Sequence, residues 1–257
     1  FTGNKFEFRM PGSSVSIAGP NFIINTIVAE SLCQFADELE KADDFKKALT
    51  DIIQRTMIEH DRIIFNGNNY SEEWVKEAER RGLLNLKSSV DALQLFSQEK
   101  NIKLFEKHGV LTKGELLARQ EIMLEICYKT INIEALTMLD IAKQQIVPAV
   151  IEYMSDISGA INSKMAVNEK LGCKLECHLL EKLSCLSDEL DSKIIELEAA
   201  VDAARKETDA IVTAKVYHDS VSEKMQELRN VADELEMITK KSYWPLPSYG
   251  DILYSVK

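Results

Sequence analysis

Apolar residues recur along most of this chain at intervals of three and four, the signature of helices with one buried face. From Pro20, a residue suited to a first helical turn, the series is Ile24, Ile27, Val28, Leu32, Phe35 and Leu39. A second helix is predicted with Phe45, Leu49, Ile52, Ile53 and Met57 as its buried stripe. Thr112-Lys113-Gly114-Glu115 has capping-box spacing, in which Thr and Glu satisfy each other's backbone donors. The long helix after it repeats Leu117, Leu124, Ile131 and Met138, with Tyr128, Ala135 and Ala142 completing the face, and Pro148 is expected to kink or end it. Two narrower stripes follow. One is Leu179, Leu183, Leu186, Leu190, Ile194, Leu197, Val201 and Ala204; the other is Val221, Met225, Leu228, Ala232, Leu235 and Ile238. Consecutive stripes of this width predict an antiparallel helical hairpin, with its turn near Glu207–Asp209.

Four stretches depart from the helical period. Lys5-Phe6-Glu7-Phe8-Arg9 alternates charged and aromatic residues, which in a strand puts Lys5, Glu7 and Arg9 on one face. Met10–Ser14 reads as a turn. Residues 63–71 break the pattern at Asn66-Gly67, a strong turn signal. Ser71 is placed to cap a short helix containing Trp74, with Gly82 as its stop. Residues 83–111 read as short helices and loops, and Tyr243–Tyr249 as an aromatic, proline-rich strap docked on the helices.

Composition sharpens this picture. Only Pro148 interrupts the long middle of the chain, since Pro11, Pro20, Pro245 and Pro247 sit near its ends. At 45% hydrophobic and 28% charged residues, the chain is one that folds rather than a disordered tail. A formal net charge of −11 disfavours nucleic acid and an acidic membrane surface as partners. No apolar run reaches the roughly 18–20 residues that span a bilayer. Cys33, Cys127, Cys173, Cys177 and Cys185 are odd in number and scattered, which suits reduced thiols in the cytoplasm. The first residue is Phe1, and a strand-like alternation begins almost at once, as in a segment of a longer chain.

The candidate chemistry is concentrated at residues 5–9. A carboxylate flanked by two cations suits a polyanion-plus-metal site: Glu7 as an oxygen ligand for a hard divalent ion, Lys5 and Arg9 facing phosphate or carboxylate oxygens. The competing reading is a solvated face with cross-strand ion pairs of about 1 kcal/mol or less. Cys173, Cys177 and His178 share a helical neighbourhood but lack the fourth ligand of a structural zinc site. His60, His108 and His218 read as helix-end or surface histidines. No Gly-rich phosphate loop or nucleophile elbow occurs.

Phe1–Gly12, followed by Gly19-Pro20-Asn21-Phe22, resembles the last catalytic strand of glutamine synthetases, and more specifically of the large type III enzymes. Arg62–Ser71, Arg81–Leu86, Lys129–Met138 and Trp244–Asp251 extend the resemblance in order along nearly the whole chain. The resemblance implies a ligase that joins ammonium to glutamate at the expense of ATP, with Mg2+ or Mn2+, in a ring-forming homo-oligomer. It implies that Glu7 is a metal ligand, that Arg9 is a catalytic residue meeting the γ-carboxylate and the transferring phosphoryl group, and that Lys5 lies near nucleotide phosphates. The fold expected is mainly α, a helical bundle with a long antiparallel hairpin, preceded by one strand of an α+β catalytic sheet. The expected organisation is a catalytic strand and turn at 1–20, a helical end of the catalytic domain at 21–111, a long-helix bundle at 112–242 and a docking tail at 243–257. A segment of this kind is expected to be inactive alone. The rival reading is a non-catalytic scaffold that binds a partner through the 179–238 hairpin.

Overall fold

Local signals in the chain account for most of the helix boundaries. The computed structural model describes residues 16–68 and 70–254, and all regular structure among them is helical. The strand expected at 5–9 lies outside the described residues. The chain divides after Gln120 into two compact units, each taken here by itself.

The first unit holds α1 (Ala18–Leu39), α2 (Phe45–Glu59), α3 (Glu72–Arg80), α4 (Ser89–Phe96), α5 (Glu99–Lys107) and the start of α6 (Lys113–Ile141). Asp44, Ser71 and Ser88 cap α2, α3 and α4 by accepting backbone N–H bonds into their first turns. The box at Thr112 and Glu115 forms as expected: Thr112 N donates to Glu115 Oε2 at 2.8 Å, and Glu115 N to Thr112 Oγ1 at 3.3 Å. Gly82 stops α3 at φ +73°, a left-handed conformation in which Leu83 N reaches back to the Ala78 carbonyl.

The core of this unit is small. Ile102, Phe105, Leu111 and Leu116 are buried, with Phe22, Ile23 and Phe96 packed against them. The stripe expected inside α2 is buried only at Ile52; Phe45, Leu49, Ile53 and Met57 are exposed. On α1 the buried residue is Thr26, whose hydroxyl donates to the Phe22 carbonyl, while Ile27, Val28 and Leu32 are exposed. The periodicity identified both helices correctly, but α1 turns its Phe22–Thr26–Glu30 side toward α5. Its more apolar side remains open.

The second unit is a three-helix bundle. Its first rod is α6, a π-helical turn at Ala142–Ile146, and α7 (Val147–Val167). Pro148 neither ends nor breaks this rod. The π turn, in which Val147 N donates to the Ala142 carbonyl, inserts a residue just before the proline, and Pro148 then sits in the first turn of α7 where no N–H is required. The second rod is α8 (Lys174–Ala204). The third is α9 (Ala210–Val216), a second π turn at Tyr217–Val221, and α10 (Ser222–Ile238).

Residues 205–209 form the turn between the second and third rods, and Asp209 caps α9. Lys193 pairs with Glu227 and Lys224 with Glu196, so α8 and α10 run antiparallel. Lys143 pairs with Glu198 and Lys164 with Glu176, so the first rod is also antiparallel to α8. The hairpin stripe is the heart of the core: Leu183, Leu190, Leu197, Val201, Ala204, Val221, Leu228 and Leu235 are all 2% exposed or less. One expected position differs. Leu117 is exposed, and Leu116 beside it is fully buried within the first unit.

Candidate functional site

Lys5, Glu7 and Arg9, the residues that carry the sequence-based site, lie outside the described residues. Among the described residues, a groove of about 530 Å3 lies in the second unit. One wall is α6 and its π turn, through Ile133, Met138 and Ile146; the other is α10, through Met225 and Leu228. Trp244 and Leu246, from the segment after α10, also line it. This segment does dock as a strap: Trp244 packs against the bundle core, and Tyr243 lies against Tyr153 and donates its hydroxyl hydrogen to Asp156. A short helix, α11 (Tyr249–Leu253), follows, with Ser248 and Asp251 forming its capping box. The indole N–H of Trp244 and the hydroxyl of Thr239 are buried without a hydrogen-bond partner. The rim is mainly acidic: Glu134, Asp233 and Glu236 line it together with Arg229, whose guanidinium donates to Asp233 at 3.3 Å. The groove is suited to hold apolar groups, and its carboxylates can meet cations.

A second constructed feature lies in the first unit, at residues 61–71. The Phe65 ring stacks on Trp74 with centroids 4.0 Å apart, and the Arg81 guanidinium stands over the same indole at 5.5 Å. Arg81 Nη1 donates to the Ile64 carbonyl at 2.9 Å and to that of Arg62 at 3.3 Å, fixing the loop against α3. Gly67 is required by this arrangement, because a Cβ there would meet the Phe65 ring at 2.8 Å. The result is a stapled loop with Tyr70 standing in solvent. The sequence marks the turn and the cap; the stack and the role of Arg81 follow only from the structure.

Ion pairs tie helices together in both units. Glu30 of α1 meets Lys107 at 2.7 Å and His108 at 2.8 Å, and the hydrogen bond from Lys107, with those from Gln34 and His108, holds its carboxyl down at about 2. Glu77 is held at about 2 by Arg80 and then Arg81. In the hairpin, Lys193 and then Lys224 lower Glu227 to about 2, while Glu196 and Glu227 raise Lys224. These groups are partly exposed, and their task is to set register rather than to do chemistry. His60 and His108 lie at the ends of α2 and α5, and His218 pairs with Asp219 on the surface. Cys173 is buried just before α8, whereas Cys177 and His178 are exposed. No three His, Cys, Asp or Glu side chains converge as a metal cluster among the described residues. No described helix is long and apolar enough to cross a membrane.

Residues 48–165, which run from α2 to the end of α7, match the family described as the glutamine synthetase C-terminal domain. The chain as a whole is 35% identical to a glutamine synthetase of Butyrivibrio fibrisolvens, over 100% of its own length and 37% of that protein. It is 37% identical to the type-3 glutamine synthetase of Dictyostelium discoideum, over 99% of the chain and 36% of that protein. A glutamine synthetase of Bacteroides fragilis (strain YCH46) is 27% identical over 99% of the chain. The chain thus spans little more than a third of these relatives' length, and the family matched at 48–165 marks it as similar to a C-terminal part of them. The matched C-terminal domain covers both the stapled loop at 61–71 and the α6 wall of the groove.

Proposed function

We infer that the protein to which this chain belongs is a glutamate–ammonia ligase, and that the described helices form its structural and assembly region. The observation carrying this reading is similarity to glutamine synthetases along the full length of the chain, rather than over an isolated motif. In the reaction, a γ-carboxylate oxygen of glutamate attacks the terminal phosphorus of ATP, and ADP leaves. Ammonia then attacks the γ-carbonyl carbon of the γ-glutamyl phosphate, and inorganic phosphate leaves. Both steps bring anions together, so cations must offset the developing charge. Glu7 supplies oxygen ligands suited to Mg2+ or Mn2+, Arg9 pairs with carboxylate or phosphoryl oxygens, and Lys5 meets the nucleotide phosphates. Three residues do not make this site complete, so the chain by itself is inactive. The organisation into 1–20, 21–111, 112–242 and 243–257 belongs to the same proposal, as do a cytoplasmic location and a homo-oligomeric ring. The five unpaired thiols suit a reducing compartment.

The scaffold alternative is weakened by the bundle itself. The apolar stripes of 179–238 are mostly buried against one another and against the first rod, which leaves only their Met225–Leu228 edge, at the groove, open to a partner.

The test uses the full-length enzyme. Glu7→Gln is expected to collapse turnover and alter the Mg2+ or Mn2+ dependence without unfolding the protein. Arg9→Lys is expected to lower kcat/KM well beyond twofold, because the bidentate contact is lost. Near-normal rates and metal titrations in both variants would remove these assignments.

A further inference from the structure

The α6 helix carries two apolar faces. One, through Leu124, Tyr128, Ile131, Ala135, Met138 and Leu139, enters the bundle core. The other lies largely on the opposite side of the same helix and is open: Ile122 is 55% exposed, Ile126 59%, Leu136 39% and Ile133, which also borders the groove, 63%. A helix that is apolar on both sides is one that has neighbours on both sides. With Lys129 in its centre, the open face reads Ile122, Ile126, Lys129, Ile133, Leu136, the four-and-three alternation of a coiled-coil seam.

The seam is also nearly the same read in either direction about Lys129. In an antiparallel pair of identical helices with Lys129 at the two-fold axis, Ile122 comes level with Leu136 of the other copy, and Ile126 falls within one residue of Ile133. Charge supports the same register. Lys129 pairs with Glu125 of its own helix at 2.5 Å. The two residues lean to the same flank of the seam, so in the pair each Lys129 stands between its own Glu125 and that of the other copy. The two lysines at the axis are then compensated by two carboxylates. A parallel pairing would instead bring like residues level along the whole seam.

We propose that this face of α6 is a self-association surface, and that two copies of the chain pair antiparallel through Ile122, Ile126, Ile133 and Leu136 about an axis at Lys129. An interface of this form is isologous and closes as a dimer. The helix is already formed and packed on the bundle core by its other face, so little ordering is required when the copies meet. The pairing deepens the homo-oligomer reading by giving it a surface, and it does not depend on ligase chemistry.

Sedimentation velocity on the 257-residue chain, across a concentration series and without substrates, tests the pairing. The chain is expected to dimerise, and Ile126→Asp/Ile133→Asp to weaken association by roughly tenfold or more, because carboxylates would enter the apolar seam. Helicity by circular dichroism is expected to be unchanged, since both side chains are exposed. Lys129→Leu is expected to tighten the dimer, as it removes the like charges at the axis. Lys129→Cys under mild oxidation is expected to give a dimer whose cross-link maps by mass spectrometry to residue 129 of both copies. A chain that stays monomeric at high concentration overturns the proposal. So does a dimer indifferent to the double substitution, or one in which residue 129 never links to itself. A dimer that behaves as expected in an inactive full-length enzyme would sink the ligase reading and leave this one standing.

Discussion

Two stretches of comparable amphipathic sequence meet different fates in this protein. The stripes of α8 and α10 close on each other and on the first rod, leaving Leu183, Leu197, Val221 and Leu235 with no exposed surface at all. Among the described residues, the stripe of α2 apart from Ile52 and the open side of α1 stay largely uncovered: Leu32 is 61% exposed and Ile53 55%. The difference is not one of helix formation, since all four helices form. It lies in where the partner surface is encoded. The hairpin finds its partner about 30–40 residues along the same chain, after one short turn, and loop closure over that distance is entropically mild. The α1–α2 faces have no such neighbour among the described residues, and the chain spans little more than a third of the relatives' length.

The sharpest way to break this comparison is a pair of matched truncations. Leu197→Ala is expected to destabilise the second unit by about 3 kcal/mol, the cost of lost burial plus a cavity in a closed core. Leu32→Ala in the same chain is expected to change stability by about 0.5 kcal/mol or less, because its side chain is already in water. Urea titrations followed by helicity decide both. Equal costs at the two sites would mean that the α1 face is covered in the isolated chain.

A smaller effect is expected at the stapled loop. Gly67→Ala places a methyl group against the Phe65 ring at 2.8 Å and must push that ring off Trp74. A loss of about 1 kcal/mol is expected, together with a change in the indole emission of Trp74. An unchanged emission spectrum would show that the stack is not maintained in solution. The sequence has a second tryptophan, Trp244, so the measurement belongs in a Trp244→Phe background.

Acid titration is expected to give the smallest change, and it sharpens the contrast on the hairpin side. Lys193 and Lys224 hold Glu227 at about 2 and also lower Glu196. Carboxyls depressed in the folded state favour folding when ionised, and that contribution is complete above their unfolded pKa of about 4.3. It is lost as pH falls from there toward 2. A modest fall in Tm over that window is therefore expected, and Glu196→Gln/Glu227→Gln should flatten it. Because these side chains are partly exposed, added salt should shrink the effect as well. A pH profile identical in the double variant would remove the network from the account of hairpin stability.

Much of the helical architecture was legible in local sequence. The caps at Ser71 and Thr112, the left-handed stop at Gly82 and the hairpin stripe from Leu183 to Leu235 depend on residues near each other in the chain, and they formed where those residues lie. The candidate site was legible in another sense: Lys5, Glu7 and Arg9 were picked out by strand alternation and family resemblance, while the groove beside α10 and the open seam of α6 were not. Periodicity reports that a face is apolar but not what covers it. Leu116 rather than Leu117 became the buried residue, Thr26 rather than Leu32 faced inward, and Pro148 passed through a continuous rod, because each outcome depends on neighbours distant in sequence. The π turn before Pro148 shows the reason most clearly. One inserted residue rotates everything after it relative to α8, and only the packed bundle determines whether that rotation is favourable. The sequence by itself therefore determined which long segments are helices and several of the points where they begin or stop. The tertiary structure alone decided which of their apolar faces are closed and which remain open, since burial is a property of two surfaces and a stripe describes only one.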